Sequence, residues 1–291
     1  MFREEIPYEP YPVERDPDKR RGYYEVGKGL QAIDGIPTSD YFDQVMEESL
    51  AGKYDTKEVT KKLIHYYNEM NPTDSKYDSR EADISASRIA DVLESLPFNF
   101  VTGMLGALHR KIFEDYKPDY LPGEWRKPGK DFRKKECVLN NQSVEYGLSD
   151  IISGSLHDTF IEEKYYDYSP EFGTEAIANL VRFVSSVWQI HPFYEGNTRT
   201  IATFTIMYLR SMGFKINNEP FMKHSVYFRD ALTRSAFSNE ELGVEANFNF
   251  LEKFFDNMIH NAGHDLESFD LRCLELFPTD HNEEGQPKHI D

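Results

Sequence analysis

Apolar residues recur at helical spacing along most of this chain, and nearly every periodic run closes on a glycine or a proline. Thr38 and Ser39 precede a run through Tyr41, Val45 and Met46 that Gly52 ends, which predicts a hydroxyl-capped helix. Thr56 is the expected cap of a second helix, with Val59, Leu63, Ile64 and Tyr67 on one face and Pro72 beyond its end. Ile84, Ile89, Val92, Leu93 and Leu96 mark a third helix, stopped at Pro97, and Leu105, Leu108, Ile112 and Phe113 mark a fourth. The broadest stripe is Ile177, Leu180, Val181, Val184, Val187 and Trp188, a helix over 174–190 with Thr174 as its expected cap. Further helices are predicted near 198–212, 224–237 and 246–261.

Three stretches break this rhythm. Residues 1–37 are rich in proline, charge and tyrosine and read as an irregular arm. Residues 71–80 are polar and turn-rich, the best boundary in the chain. Cys137 to Tyr146 holds two short strand-like halves around Asn140-Asn141, which predicts a β-hairpin. The expected fold is all-α with one small β-hairpin. It is divided into an arm (1–37), an N-terminal helical lobe (38–80), a core (81–262) and a C-terminal tail (263–291).

Composition narrows the function. The chain has 291 residues, long enough to bury a core without metals or disulfides, and 21 Phe and 18 Tyr to fill it. A formal net charge of −18 repels phosphate backbones and anionic membrane surfaces, so nucleic acid and membrane are not expected partners. Cys137 and Cys273 have no metal-ligand spacing and read as buried thiols in a reducing compartment. No basic-then-apolar leader and no long apolar run stands out, so a cytoplasmic location is expected.

The chemistry concentrates in His191-Pro192-Phe193-Tyr194-Glu195-Gly196-Asn197-Thr198-Arg199. A helix ends near Ile190, Pro192 blocks its continuation, and a turn at Gly196 opens the next helix. The first amides of that helix, over Gly196, Asn197, Thr198 and Arg199, lack intrahelical partners and make an anion site. Arg199 offers a fork suited to phosphate oxygens, Glu195 a carboxylate suited to magnesium, and His191 a base that works near neutral pH. Together they describe a nucleotide phosphate site with a general base for an incoming hydroxyl.

This segment resembles the Fic signature, His-x-Phe-x-(Asp/Glu)-Gly-Asn-Gly-Arg-x-x-Arg. The likeness extends over roughly residues 80 to 260, through Leu108–Phe113, Gly123-Glu124-Trp125-Arg126, Trp188-Gln189-Ile190 and Tyr227-Phe228-Arg229. The resemblance implies a protein adenylyltransferase that moves AMP from ATP, with Mg2+, onto a Ser, Thr or Tyr hydroxyl of a target protein or of the chain itself. In it His191 would deprotonate the acceptor, Phe193 would anchor the loop and Glu195 would hold magnesium. Gly196 and Asn197 would cradle the α- and β-phosphates beside Thr198, and Arg199 would take the distal ones. Val138, Leu139, Asn140, Asn141, Gln142, Ser143 and Val144 would form the flap whose edge pairs with the target's backbone.

Two positions depart from the signature. Thr198 replaces a glycine, and Ala202 replaces the second arginine. No strict match to the family's inhibitory element, (Ser/Thr)-x-x-x-Glu-(Gly/Asn), is found; Ser87 to Asp91 comes nearest. Self-inhibition of the usual kind is therefore expected to be weak or missing. Gly29 to Gly35 resembles the antitoxin-like lead-in of some Fic cores, and His109, on an apolar helix face, reads as a core histidine rather than a ligand. Three alternatives stay open: a relative using another nucleotide, a Doc-like kinase, and a nucleotide-binding regulatory module with little turnover. The acceptor and the oligomeric state are not legible in the sequence, and a homodimer is compatible with it.

Overall fold

The computed structural model describes residues 16–70, 79–115, 120–129, 132–169 and 171–277. Most of the expected boundary at 71–80, the first 15 residues of the arm and the end of the tail lie outside the described residues. By internal contacts the chain divides into two units. One joins Met1–Trp125 to Phe193–Ser225; the other joins Arg126–Pro192 to Val226–Asp291.

The first unit is built on α4 (Arg80–Ser95), which is buried along almost its whole length. Packed against α4 is α1 (Pro17–Gln31), a helix where an irregular arm was expected. Asp16 caps it, accepting from the Asp18 amide at 3.0 Å, and Pro17 opens its first turn. Its glycines hide the helical pattern from sequence, yet they are what brings it close. A Cβ on Gly27 would lie 2.3 Å from the Ala86 carbonyl oxygen, so only glycine allows this approach.

α2 (Asp40–Leu50) is capped by Ser39, as expected. α3 (Thr56–Met70) is capped by Asp55 rather than Thr56: Asp55 accepts from the Glu58 amide at 2.8 Å, and Glu58 returns to the Asp55 amide at 3.2 Å. α5 (Thr102–Phe113) lies on α4 and on α8 (Asn197–Ser211), and the short α9 (Glu219–Lys223) meets α1. α8 buries Ile201, Phe204, Ile206 and Leu209, each worth about 1.5–3 kcal/mol. Ala202, at the place of the missing arginine, is also fully buried.

In the second unit, α7 (Thr174–Ile190) packs between α6 (Ile152–Lys164) and α11 (Asn249–His260). α10 (Ser225–Ala236) joins α7 through a hydroxyl pair, Ser185 to Ser235, at 2.7 Å. The cap of α7 falls on Gly173, without a side-chain hydrogen bond, not on Thr174. α6 was not predicted, because only Ile152, Leu156, Phe160 and Glu163 face inward. The start of the tail is ordered into turns at Ser268–Leu271 and Leu274–Leu276 that bury Leu271, Cys273 and Leu276. Cys273 is a buried free thiol, as expected, whereas Cys137 is exposed.

The all-α class holds; the β-hairpin does not form. Among the described residues there is no strand, only isolated bridges at Glu136–Gln142 and Asn239–Val244. Three causes are visible in the 136–144 loop. Cys137–Leu139 coils into a tight turn, and Asn140 and Asn141 both sit at positive φ. Val138 and Leu139 are adjacent and both buried, which a pleated strand with alternating faces cannot do. A ladder group is spent elsewhere: the Val138 carbonyl accepts from the Cys273 amide at 2.9 Å.

Candidate active site

His191 closes α7 in the left-handed conformation, with φ at 52°. A side chain there costs about 1–2 kcal/mol, so its surroundings must hold it. The imidazole is buried in the second unit among the rings of Tyr146 (4.1 Å between centroids), Phe132 (4.9 Å) and Trp188 (5.9 Å). Neither ring nitrogen has a hydrogen-bond partner among the described residues. Burial above all, then the charges of Lys134 and Arg126, drive its pKa well below the usual histidine range. The imidazole is therefore neutral at pH 7, with a ring nitrogen unprotonated, which is the state a general base needs. The Tyr146 hydroxyl donates to the buried Glu136 carboxylate at 3.2 Å. Beside this box Arg126, Phe132, Arg133, Tyr146 and Gly147 line a cavity of about 640 Å3.

The chain passes from one unit to the other between Pro192 and Phe193. In the first unit, Phe193 is fully buried and stacked on His109 at 3.8 Å between centroids. Asn197 ties the loop into a ring: its Oδ1 accepts from the Phe193 amide at 3.0 Å and its Nδ2 donates to the Phe193 carbonyl at 2.7 Å. Gly196, at φ 75°, caps α8, and a Cβ there would also lie 2.4 Å from the Phe113 ring. Glycine is thus required twice over, by conformation and by space. The first-turn amides of α8 remain without intrahelical acceptors, so this end carries the dipole's positive charge.

His109 is the core histidine the sequence suggested, and it supports this loop. Its Nδ1 accepts from the Gly123 amide at 2.9 Å, which leaves Nε2 to donate to the Glu195 carbonyl at 3.0 Å. Burial, reinforced by the Arg199 charge, lowers its pKa to about 4, against the Glu195 hydrogen bond that raises it.

Arg199 is buried, and its guanidinium is engaged by the chain's own side chains. Nη2 lies 2.9 Å from Asp34 and 3.0 Å from Glu81 and donates to the Tyr120 hydroxyl at 2.9 Å; Nη1 donates to Gln31 at 3.0 Å. Burial opposes its charge, but Asp34, Tyr120 and Glu81 outweigh that and raise its pKa. Asp91, the nearest sequence candidate for an inhibitory acid, is elsewhere: it accepts from Thr56 and Ser95 and lies 3.5 Å from Lys111. Of the flap residues, Val138, Leu139 and Val144 are buried, Asn140, Asn141 and Gln142 are exposed, and Ser143 is half-buried. Sequence reasoning missed Asp34, Gln31 and Glu81 as partners of Arg199, although the Gly29–Gly35 lead-in had been singled out. It also missed Arg126, although Gly123–Arg126 had been marked as part of the likeness.

Residues 99–209 match the model of the Fic/DOC family. This segment is similar to a Fic domain. No curated protein and no solved structure matches the chain. The Fic match includes α5, α7, most of α8 and the whole 191–199 loop, and it supports a Fic-type transferase. No helix among the described residues is long and apolar enough to cross a membrane.

Proposed function

We propose that this protein is an adenylyltransferase that moves AMP from ATP onto a Ser, Thr or Tyr hydroxyl of a target protein. The observation that carries the reading is the state of His191 within a segment that keeps most of the Fic signature: a buried imidazole, held neutral, with no partner on either nitrogen among the described residues. A structural histidine in such a place would be hydrogen-bonded, as His109 is. His191 would take the proton of the acceptor hydroxyl as its oxygen attacks the α-phosphorus. The amides at the start of α8 would hold phosphate oxygens and spread the charge that develops on them. Pyrophosphate would leave.

Magnesium and ATP fit the donor set. Among the described residues no three His, Cys, Asp or Glu side chains converge to hold a metal by themselves. Glu195 would accordingly be a single protein ligand to an ion held mainly by phosphates and water, the usual habit of Mg2+. The ion would neutralise phosphate charge. The exposed residues Asn140, Asn141 and Gln142 would meet the target. A cytoplasmic location accords with the free thiols.

A second reading is favoured by one observation. Arg199 is paired to Asp34 and Glu81, and Ala202 stands in place of the second arginine, so neither position offers an unengaged cation to distal phosphates. That favours a regulatory module that binds nucleotide with little turnover. Parallel incubation of protein mixtures with α-labelled and γ-labelled ATP, using wild type and His191→Ala, separates the cases. Label from the α-position alone, lost in the variant, is the expected result. Label from the γ-position alone would make the protein a kinase, and no His191-dependent label from either would favour the regulatory module.

A further inference from the structure

Arg126 is 4% exposed, and the structure gives it an unusual set of acceptors. Its Nε donates to the His191 carbonyl at 2.5 Å. Its Nη2 donates to the carbonyls of Gly147 at 2.7 Å and Ile190 at 3.2 Å. Its backbone amide donates to the Pro192 carbonyl at 2.7 Å. Ile190, His191 and Pro192 are the end of α7 and the turn beyond it, where carbonyls have lost their helical donors. One residue satisfies all three.

The same side chain reaches across to the segment that follows the flap loop. There the Gly147 amide donates to the Gln189 carbonyl at 2.9 Å, and Gln189 Nε2 donates to the Glu145 carbonyl at 3.2 Å. Gly147 fits closely here, since a Cβ would lie 3.1 Å from the Ile190 backbone, tighter than an ordinary contact. The guanidinium also lies over Phe132, 4.9 Å from its ring centre, and Phe132 is one wall of the imidazole box.

We propose that Arg126 is a positioning residue for His191, clamping the left-handed backbone of residue 191 through the Ile190, His191 and Gly147 carbonyls. The clamp fixes the direction in which the imidazole leaves the chain, and it locks that direction to the flap segment. The planar fork serves carbonyls on two segments from separate nitrogens in a fixed geometry; a lysine ammonium has the charge but gathers its donors on one mobile nitrogen. The charge has a second effect. The charged and titratable groups around the imidazole in this unit are Arg126, Lys134, Tyr146 and, through Tyr146, Glu136. Arg126 and Lys134 both oppose protonation of His191, so removing one cation favours it.

The inference rests on the transferase reading, and two variants of the full chain test it by two readouts. In Arg126→Lys the charge stays and the fork is lost. We expect kcat for adenylyl transfer to fall about 10- to 100-fold with KM for Mg-ATP little changed, because the reacting geometry loosens while nucleotide binding stays. The acidic limb of the pH profile stays where it is. In Arg126→Gln both are lost: kcat falls as far, and the limb moves up toward the ordinary histidine range. NMR titration of the His191 imidazole in histidine-labelled protein gives the same ordering without any turnover. A titration that moves in Arg126→Gln but not in Arg126→Lys supports the coupling even if no adenylyl transfer is found, and the transferase reading alone would then fail. If both variants keep kcat within twofold of wild type, or if the imidazole titrates identically in all three folded proteins, the proposal is overturned.

Discussion

The grip on Arg199 should be measurable as competition. Nη2 lies 2.9 Å from Asp34 and 3.0 Å from Glu81, with side chains 41% and 26% exposed. A hydrogen bond between charged groups contributes about 1.5–3 kcal/mol when buried. Solvent access reduces each of these to about 1 kcal/mol. If distal phosphates must draw Arg199 away from these acids, Glu81→Gln or Asp34→Asn should each tighten Mg-ATP binding about fivefold. The double variant should tighten it about 30-fold, since 1.4 kcal/mol is a factor of ten. The same change costs stability, about 2–4 °C in Tm for each 1 kcal/mol lost in a protein of this size class. The assay is calorimetric titration of Mg-ATP into wild type and the three variants, with thermal unfolding alongside. A lowered Tm with unchanged Kd would refute the reasoning: Arg199 would then be a bolt between α8, α4 and the lead-in that never meets nucleotide.

Two other outcomes follow from the same packing. His109 is neutral in the fold with a pKa of about 4, so the unfolded chain binds its proton first as pH falls. The stability it contributes is full above about pH 6.5 and is lost down to about pH 4, about 3 kcal/mol in all; denaturant melts across that window should show this slope in wild type and lose it in His109→Gln. Asn197→Ala removes both hydrogen bonds to Phe193 and leaves a buried amide unpaired, so urea unfolding should show a loss of about 2–3 kcal/mol and nucleotide binding should weaken with it.

What the sequence made legible was local. Helices with a wide apolar stripe, such as α7, and stops such as Gly52 could be read because periodicity and punctuation act within one turn. α1 escaped because its two contact glycines, Gly27 and Gly29, interrupt the stripe; they serve an approach to α4 and α9 that no local rule contains. The hairpin was overpredicted because Asn-Asn does favour a turn, while the tail segment that takes the Val138 carbonyl lies more than a hundred residues downstream. In the site, the 191–199 loop was readable residue by residue, since its chemistry is contiguous. The partners that hold its arginine come from positions 31, 34, 81 and 120, and only the fold assembles them.

The central claim is that an unpartnered, neutral imidazole at position 191 removes the acceptor's proton. Single-turnover transfer from α-labelled ATP to a labelled acceptor, in wild type and His191→Gln with Mg-ATP affinity measured in both, tests it most directly. The account predicts a rate lower by about 10²- to 10⁴-fold with affinity unchanged, and a wild-type rate that stays flat from pH 8 to well below 6.5. A glutamine variant that transfers AMP within a few-fold of wild type would contradict it.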